Sequence, residues 1–255
     1  MLLVLPRVLR GNPIPKLTGI LMFPLMLLGP ALSCLLLTRL LEGRPGLSAL
    51  WKRMTRVKVS LKWWLLSVGI APAGILLVLF LLRKFTTLSL PSHVFYEGFG
   101  FGILAGWLEE IGWSGFAWPR MRETPHPFLS AIALGGLWCI WHLPVVDYLG
   151  SASPHGSWLM AYFLAFTAVM AAIRVLICWV YSQTGSVLLA QAFHASSTGF
   201  LVVLSPAPVT PGHEVLWYLG YALILWILVI LLRLTLGEKS WKIANSGLVV
   251  LPRAE

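Results

Sequence analysis

Seven apolar windows, at about 17–41, 63–82, 95–118, 128–148, 157–181, 184–204 and 215–236, take up most of this 255-residue sequence. Each is long enough to cross a hydrocarbon core about 30 Å thick as a helix. Lipid accepts a spanning segment only when its backbone polar groups are satisfied internally, which favours helices. Only 11% of the residues are charged and 58% are hydrophobic, against roughly a quarter charged in a soluble domain. The soluble globular class is therefore excluded. The expected fold is all-α, a polytopic transmembrane bundle of about seven spans with eight as the alternative count, forming one membrane-embedded domain over 1–255. Turn signals separate the windows at 42–46, 125–127, 153–156, 184–185 and 205–208.

The net charge of +10 does not point to nucleic acid, because the basic residues flank apolar runs. There they set orientation and meet anionic lipid head groups. With the N-terminus outside, the cytoplasmic segments hold thirteen cations: Arg39, Arg44, Lys52, Arg53, Arg56, Lys58, Lys62, Arg120, Arg122, Arg233, Lys239, Lys242 and Arg253. The outer segments keep five, Arg7, Arg10, Lys16, Arg83 and Lys84, so the expected orientation is N-out, C-in. The expected location is a cell membrane of prokaryotic type. The 17–41 run exceeds the length of a signal-peptide apolar region and is read as a retained span. Cys34, Cys139 and Cys178 are isolated thiols inside apolar segments and read as small core residues.

Three constellations interrupt this apolar background. Glu109 and Glu110 are adjacent within the third window. A carboxylate near the bilayer centre costs at least about 2.5 kcal/mol, so acids there face the bundle interior. Adjacent helical residues point about 100° apart, so one glutamate would face a cavity while the other makes a structural contact. The bland alternative is a helix end at Gly112 and Gly115 where both see water. In the fourth window Trp138 and His142 share a helix face, and Pro144 should free the carbonyl of Ile140 and kink the helix. In the sixth, His194 and Thr198 share a face, beside Ala195, Ser196, Ser197 and Gly199, which permit close helix approach. Either histidine alone also fits an interhelical hydrogen bond. Arg174 lies seven residues, about 10 Å, from the near end of its span at Tyr181, and needs a carboxylate partner, Glu109 or Glu110. Glu109, His142 and His194 each lie about 10 to 15 residues from a span end and should meet near mid-depth. His93, His126, His155 and His213 fall in loops or at span ends and receive no role.

A carboxylate with two imidazoles supports two chemistries. A glutamate and a histidine can hold a water as general base while the second histidine and a hydroxyl stabilise an oxyanion. Alternatively, Glu109, His142 and His194 can bind zinc as a cofactor, although no HExxH occurs.

Glu109-Glu110, Trp138 to His142, and His194, in this order on three apolar spans, resemble the CPBP family. These are the CAAX proteases and bacteriocin-processing enzymes, also called the Abi family, including the type II CAAX prenyl endopeptidases. Members carry Glu-Glu-x-x-x-Arg, an aromatic-x-x-x-His, and His-x-x-x-Asn within a helical membrane bundle. The similarity covers roughly 95–200, the motif-bearing core, including the Gly-Trp-Ser-Gly-Phe-Ala and Trp-His-Leu-Pro contexts. It implies that Glu109 activates water with His142, that His194 and Thr198 form the oxyanion site, and that Glu110 supports them. Two positions depart from the pattern. Ser114 stands where the family has arginine, and Thr198 where it has asparagine. Arg174 is the expected substitute cation for Glu110.

The expected function is an intramembrane endopeptidase acting on a peptide or a membrane-associated, in one version lipidated, protein substrate. Three alternatives compete. A rhomboid-like serine protease would use Ser114 of Gly112-Trp113-Ser114-Gly115 with His194 as base, leaving the carboxylates and His142 without work. A non-catalytic bacteriocin-immunity or scaffold protein would need none of this chemistry. A proton-coupled transporter would use Glu109 and the histidines as a relay, but the internal repeats common in such transporters are absent from the sequence.

Overall fold

The computed structural model describes residues 16–88, 90–92 and 94–242. Arg7, Arg10, Arg253, His93 and the Lys16 side chain therefore lie outside the described residues. Each apolar window is built around one main helix: α1 Lys16–Met54, α2 Leu61–Phe85, α3 Glu97–Gly112, α4 Pro127–His142, α5 Leu159–Thr184, α6 Val187–Leu204 and α7 Pro211–Leu236. The only pairing between extended segments among the described residues is an isolated bridge between Ser92 and Pro206, so the fold is all-α. Five of the helices, α1, α2, α5, α6 and α7, are long and apolar enough to cross a membrane; α4 is a shorter apolar helix. Leucines and isoleucines project outward along them, among them Leu32, Leu36, Leu65, Leu223 and Ile230. Such faces belong against acyl chains.

The expected boundaries shift in three places. The 42–46 turn is a kink within α1 rather than its end. Gly43 takes φ 66° and ψ −155°, and the helix resumes through Pro45 to Met54. Proline suits a fresh helical start, where its missing N–H has no partner to lose. The basic stretch over 52–62 begins inside this helix, with Lys52 and Arg53 in its last turn.

In α3 the helix continues past Gly112 through a π-turn, Trp113–Ala117, into Trp118–Met121. Pro119 has no N–H for the preceding turn, and the widened turn accommodates it, with the Trp118 N–H reaching back to the Trp113 carbonyl. The end of this extension is tied to the α1 kink by an Arg120–Glu42 ion pair.

The third shift concerns α4, which stops at His142 instead of running to 148. Pro144 cannot donate to the Ile140 carbonyl, but that carbonyl is not left free: the Leu143 N–H takes it at 3.1 Å. The proline therefore ends the helix where a kink was expected. His142 sits at a helix C-terminus rather than in mid-span, and a single turn, Val146–Leu149, follows.

At the centre stands α5, with every residue from Val169 to Tyr181 buried. Gly185, in the left-handed region at φ 62°, closes it, and the Ser186 hydroxyl accepts the Leu189 N–H at 3.2 Å to open α6. These two helices therefore reverse direction across two residues.

The tightest helix pair is α3 against α6. Gly98, Gly102 and Gly106 recur every fourth residue on the contact face of α3. A β-carbon at Gly102 would stand 2.5 Å from the Ala195 carbonyl oxygen, and one at Gly106 would stand 2.6 Å from the Ala195 nitrogen. The small residues of α6 were legible as a close-packing face; their glycine counterparts on α3 carried the same signal. This backbone-to-backbone approach sets the carboxylates of α3 directly beside the histidine of α6.

Gly102→Leu should therefore destabilise the bundle by about 3 kcal/mol, the upper end of overpacking costs. Gly69→Ala, where an added β-carbon meets nothing within 4 Å, should leave the melting temperature in detergent unchanged or higher. Equal melting of the two variants would mean that the α3–α6 contact is looser than described.

Candidate active site

Glu109 and Glu110, adjacent in α3, divide their work as the helical geometry requires. Glu109 lines a cavity of about 260 Å³. Its Oε2 accepts two indole N–H groups, from Trp138 Nε1 at 2.8 Å and from Trp113 Nε1 at 3.3 Å. Glu110 points away from the cavity and is fully buried. Its Oε2 accepts Arg174 Nη1 at 2.8 Å and the Ser114 hydroxyl, while Oε1 faces His194 Nδ1 at 2.8 Å. Of the two carboxylates open to Arg174, the partner is Glu110.

Trp138 forms the platform between these groups. The Arg174 guanidinium lies over its ring, 4.1 Å from the centroid. His142 and His194 meet it edge-on, with centroids at 5.2 and 5.0 Å. Its N–H is committed to Glu109, so one indole relates all four polar residues to one another.

The hydrogen bonds also fix the imidazole tautomers. His142 Nδ1 lies 2.8 Å from the Trp138 carbonyl, which can only accept, so Nδ1 carries the proton. His194 Nδ1 faces a carboxylate and likewise donates. Both Nε2 atoms are then left for the cavity that both residues line, together with Thr198. Glu109, Trp138, His142, His194 and Thr198 thus share one cavity, while Glu110, Arg174 and Ser114 form a buried layer behind it.

Three of the alternative readings do not match the structure. Ser114 does not line the cavity and its hydroxyl is bound to Glu110, a poor setting for a nucleophile. The zinc arrangement also does not fit: among the described residues no three His, Cys, Asp or Glu side chains are grouped to hold a metal ion. Nor does a helix end leave Glu109 or Glu110 in water, since both are buried.

Sequence reasoning missed two features. Trp113, the second donor to Glu109, sits four residues after it, a spacing that places both on one face. The larger omission is His155, whose Nδ1 lies 2.6 Å from Asp147 Oδ1 and whose Nε2 lies 3.0 Å from Glu214 Oε2. The signal was available: a carboxylate, Asp147, stands at the end of the 128–148 window just before this histidine's loop, and another, Glu214, stands just before the 215–236 window. His126 and His213 sit at the first turns of α4 and α7, away from the cavity lining.

Residues 91–200, which hold Glu109, Glu110, Trp138, His142, Arg174, His194 and Thr198, match the family described as type II CAAX prenyl endopeptidase Rce1-like. The chain is also 28% identical over 138 residues to CAAX prenyl protease 2 of Methanococcus maripaludis, covering 48% of this chain and 49% of that protein. The motif-bearing core is CAAX-protease-like. The chain spans about half the length of the curated relative it matches. With its several long apolar helices, this CAAX-protease-like chain is an integral membrane protein.

The buried layer of the CAAX-protease-like core yields a direct test. Arg174→Met strands the Glu110 charge and should cost about 3 to 5 kcal/mol, the range for breaking a buried pair. Adding Glu110→Gln should recover part of that loss. A double variant as unstable as the sum of the single ones, by denaturation in detergent, would show that the two side chains are not coupled.

Proposed function

We propose that this protein is an intramembrane endopeptidase that cleaves a membrane-associated peptide or protein with water activated by Glu109 and His142. The observation that carries this reading is one cavity in which a carboxylate, two imidazole Nε2 atoms and a hydroxyl converge. The indoles of Trp113 and Trp138 hold one oxygen of Glu109, leaving the other for a water. Glu109 takes the water's proton as the oxygen attacks the scissile carbonyl, and His142 Nε2 orients that water. The proton then passes to the amide nitrogen as the C–N bond breaks, giving a carboxylate and an amine.

Charge balance supports the oxyanion assignment. The cluster holds two carboxylates and one guanidinium, so a single further proton neutralises it. Placed on His194, whose Nδ1–H is already engaged by Glu110, that proton leaves an Nε2–H to donate to the oxyanion beside the Thr198 hydroxyl. No step is routed through a metal, because the residues are not grouped to hold one. The remaining cavity wall is largely apolar, with Phe23, Phe95, Phe101, Phe166, Met170 and Leu201. It suits a substrate delivered from the bilayer. The relative's name identifies a prenylated CAAX peptide as the first substrate to try, with its unlipidated twin beside it. Membrane lipids are the surrounding partner, and the positive-inside count supports an N-out, C-in orientation.

In proteoliposomes, Glu109→Gln and His142→Ala should each lower cleavage of a quenched-fluorescent farnesylated CAAX peptide by about two to four orders of magnitude. Ser114→Ala should keep most of the activity, and its complete loss together with an active Glu109→Gln protein would favour a serine mechanism. Thr198→Val should lower kcat by about tenfold to a hundredfold, with Thr198→Asn restoring a donor. A biological phenotype retained in both Glu109→Gln and His142→Ala would point to a non-catalytic role. Proton-coupled flux in the liposomes would point to a transporter.

A further inference from the structure

Outside the catalytic layer lies a second buried polar cluster that closes over the same cavity. Leu149, Gly150 and Ser151, in the segment after α4, form part of the cavity wall. That segment is held by Glu214 from the first turn of α7. Glu214 Oε1 accepts the Ser151 N–H and Oε2 accepts the Ala152 N–H, both at 2.7 Å. His155 bridges Glu214 to Asp147, and its backbone N–H also bonds Asp147 Oδ1 at 2.9 Å. Its ring stacks on Tyr162 of α5 with centroids 3.8 Å apart, and Tyr162 in turn meets Tyr218, another cavity residue. A β-carbon at Gly150 would collide with the His155 ring, so the segment lies directly against the imidazole.

Both ring nitrogens of His155 face carboxylate oxygens, which only accept when ionised, so the arrangement is complete only when both nitrogens carry protons. We infer that Asp147, His155 and Glu214 form a clasp that fixes 149–152 as the substrate-bounding rim of the cavity, making His155 and Glu214 positioning residues for substrate acceptance. This rests on the endopeptidase reading for what the rim contacts, though not for the clasp itself. Its action has a defined pH sense. Burial alone would lower the His155 pKa, but hydrogen bonds and charge from Glu214 and Asp147 more than offset it and hold the value up. The stabilisation is therefore fully present below the ordinary histidine value of about 6.5. It is lost as pH rises through the elevated value, when one nitrogen turns a lone pair toward a carboxylate. Asp147, Glu214 and the stacked Tyr162 are the titratable groups facing the ring.

The test uses the full chain in proteoliposomes with the farnesylated CAAX peptide. His155→Phe keeps the ring stack on Tyr162 and removes both side-chain hydrogen bonds. It should speed amide exchange at 150–152 by about tenfold or more, with α6 unchanged. It should raise KM by about tenfold while kcat stays within about threefold, and His155→Gln should recover part of the KM. If the His155→Phe chain does not fold, raising the pH of the native protein removes the same proton, and protection of the 150–152 amides should fall there relative to α6 once the base-catalysed rise in intrinsic exchange is divided out. Unchanged protection in either experiment overturns the clasp, whatever the hydrolysis result. Faster exchange with unchanged KM overturns the role in substrate acceptance. If the native chain cleaves nothing, the endopeptidase reading fails by itself, and the Kd of the same peptide takes the place of KM in judging the rim.

Discussion

A carboxylate sealed from water persists only if its charge is met by protein, and Glu110 is met by three different helical elements. Arg174 of α5 supplies a guanidinium, His194 of α6 an N–H, and Ser114 of its own helix a hydroxyl. Removing any one partner leaves a buried charge under-compensated, a larger loss than the net worth of the pair itself. The glycine face of α3 is what makes the arrangement reachable. Without backbone contact between α3 and α6, the His194 ring could not sit within hydrogen-bonding distance of a side chain as short as glutamate. Packing and electrostatics here enforce one another: the helices must touch for the charge to be matched, and the matched charge holds them in register.

From that fixed layer the reactive face follows. Trp138 rests on the Arg174 guanidinium and presents its N–H to Glu109, so the orientation of the cavity carboxylate is inherited from the buried ion pair through one indole. Both imidazoles pack edge-on to the same ring, with their Nδ1 atoms occupied behind the cavity. Few degrees of freedom remain at the site. Such preorganisation is what electrostatic stabilisation of a developing charge needs, because nothing has to reorient as the charge forms.

Much of this was readable before any coordinates. The apolar windows gave one helix each, because segment length and lipid compatibility leave no other backbone solution. The gathering of Glu109, His142 and His194 followed from the cost of stranding polar groups in apolar spans, and Arg174 could be matched to the carboxylates by the same reasoning. What escaped was set by local stereochemistry or by distant partners. Pro144 could either kink or end α4, and only the Leu143 N–H capturing the Ile140 carbonyl decides for an end. The π-turn depends on how the chain absorbs Pro119, which residue spacing does not reveal. His155 looked like an ordinary loop histidine, since its partners Asp147 and Glu214 lie eight and fifty-nine residues away.

The source of the cation that meets Glu110 bears on how the chain is made. With serine at position 114, α3 has no arginine one turn on, the place where the family pattern puts its own. It enters the bilayer during synthesis with two acids lacking an intrahelical counter-charge, each costing about 2.5 kcal/mol or more at depth. Arg174 is synthesised 64 residues later, on α5. Until that helix arrives, α3 is a weak candidate for independent insertion and depends on the translocation machinery or on neighbouring helices to keep it from lipid. The arginine position therefore bears on assembly as well as on the finished charge balance: here the counter-charge for α3 arrives only with α5.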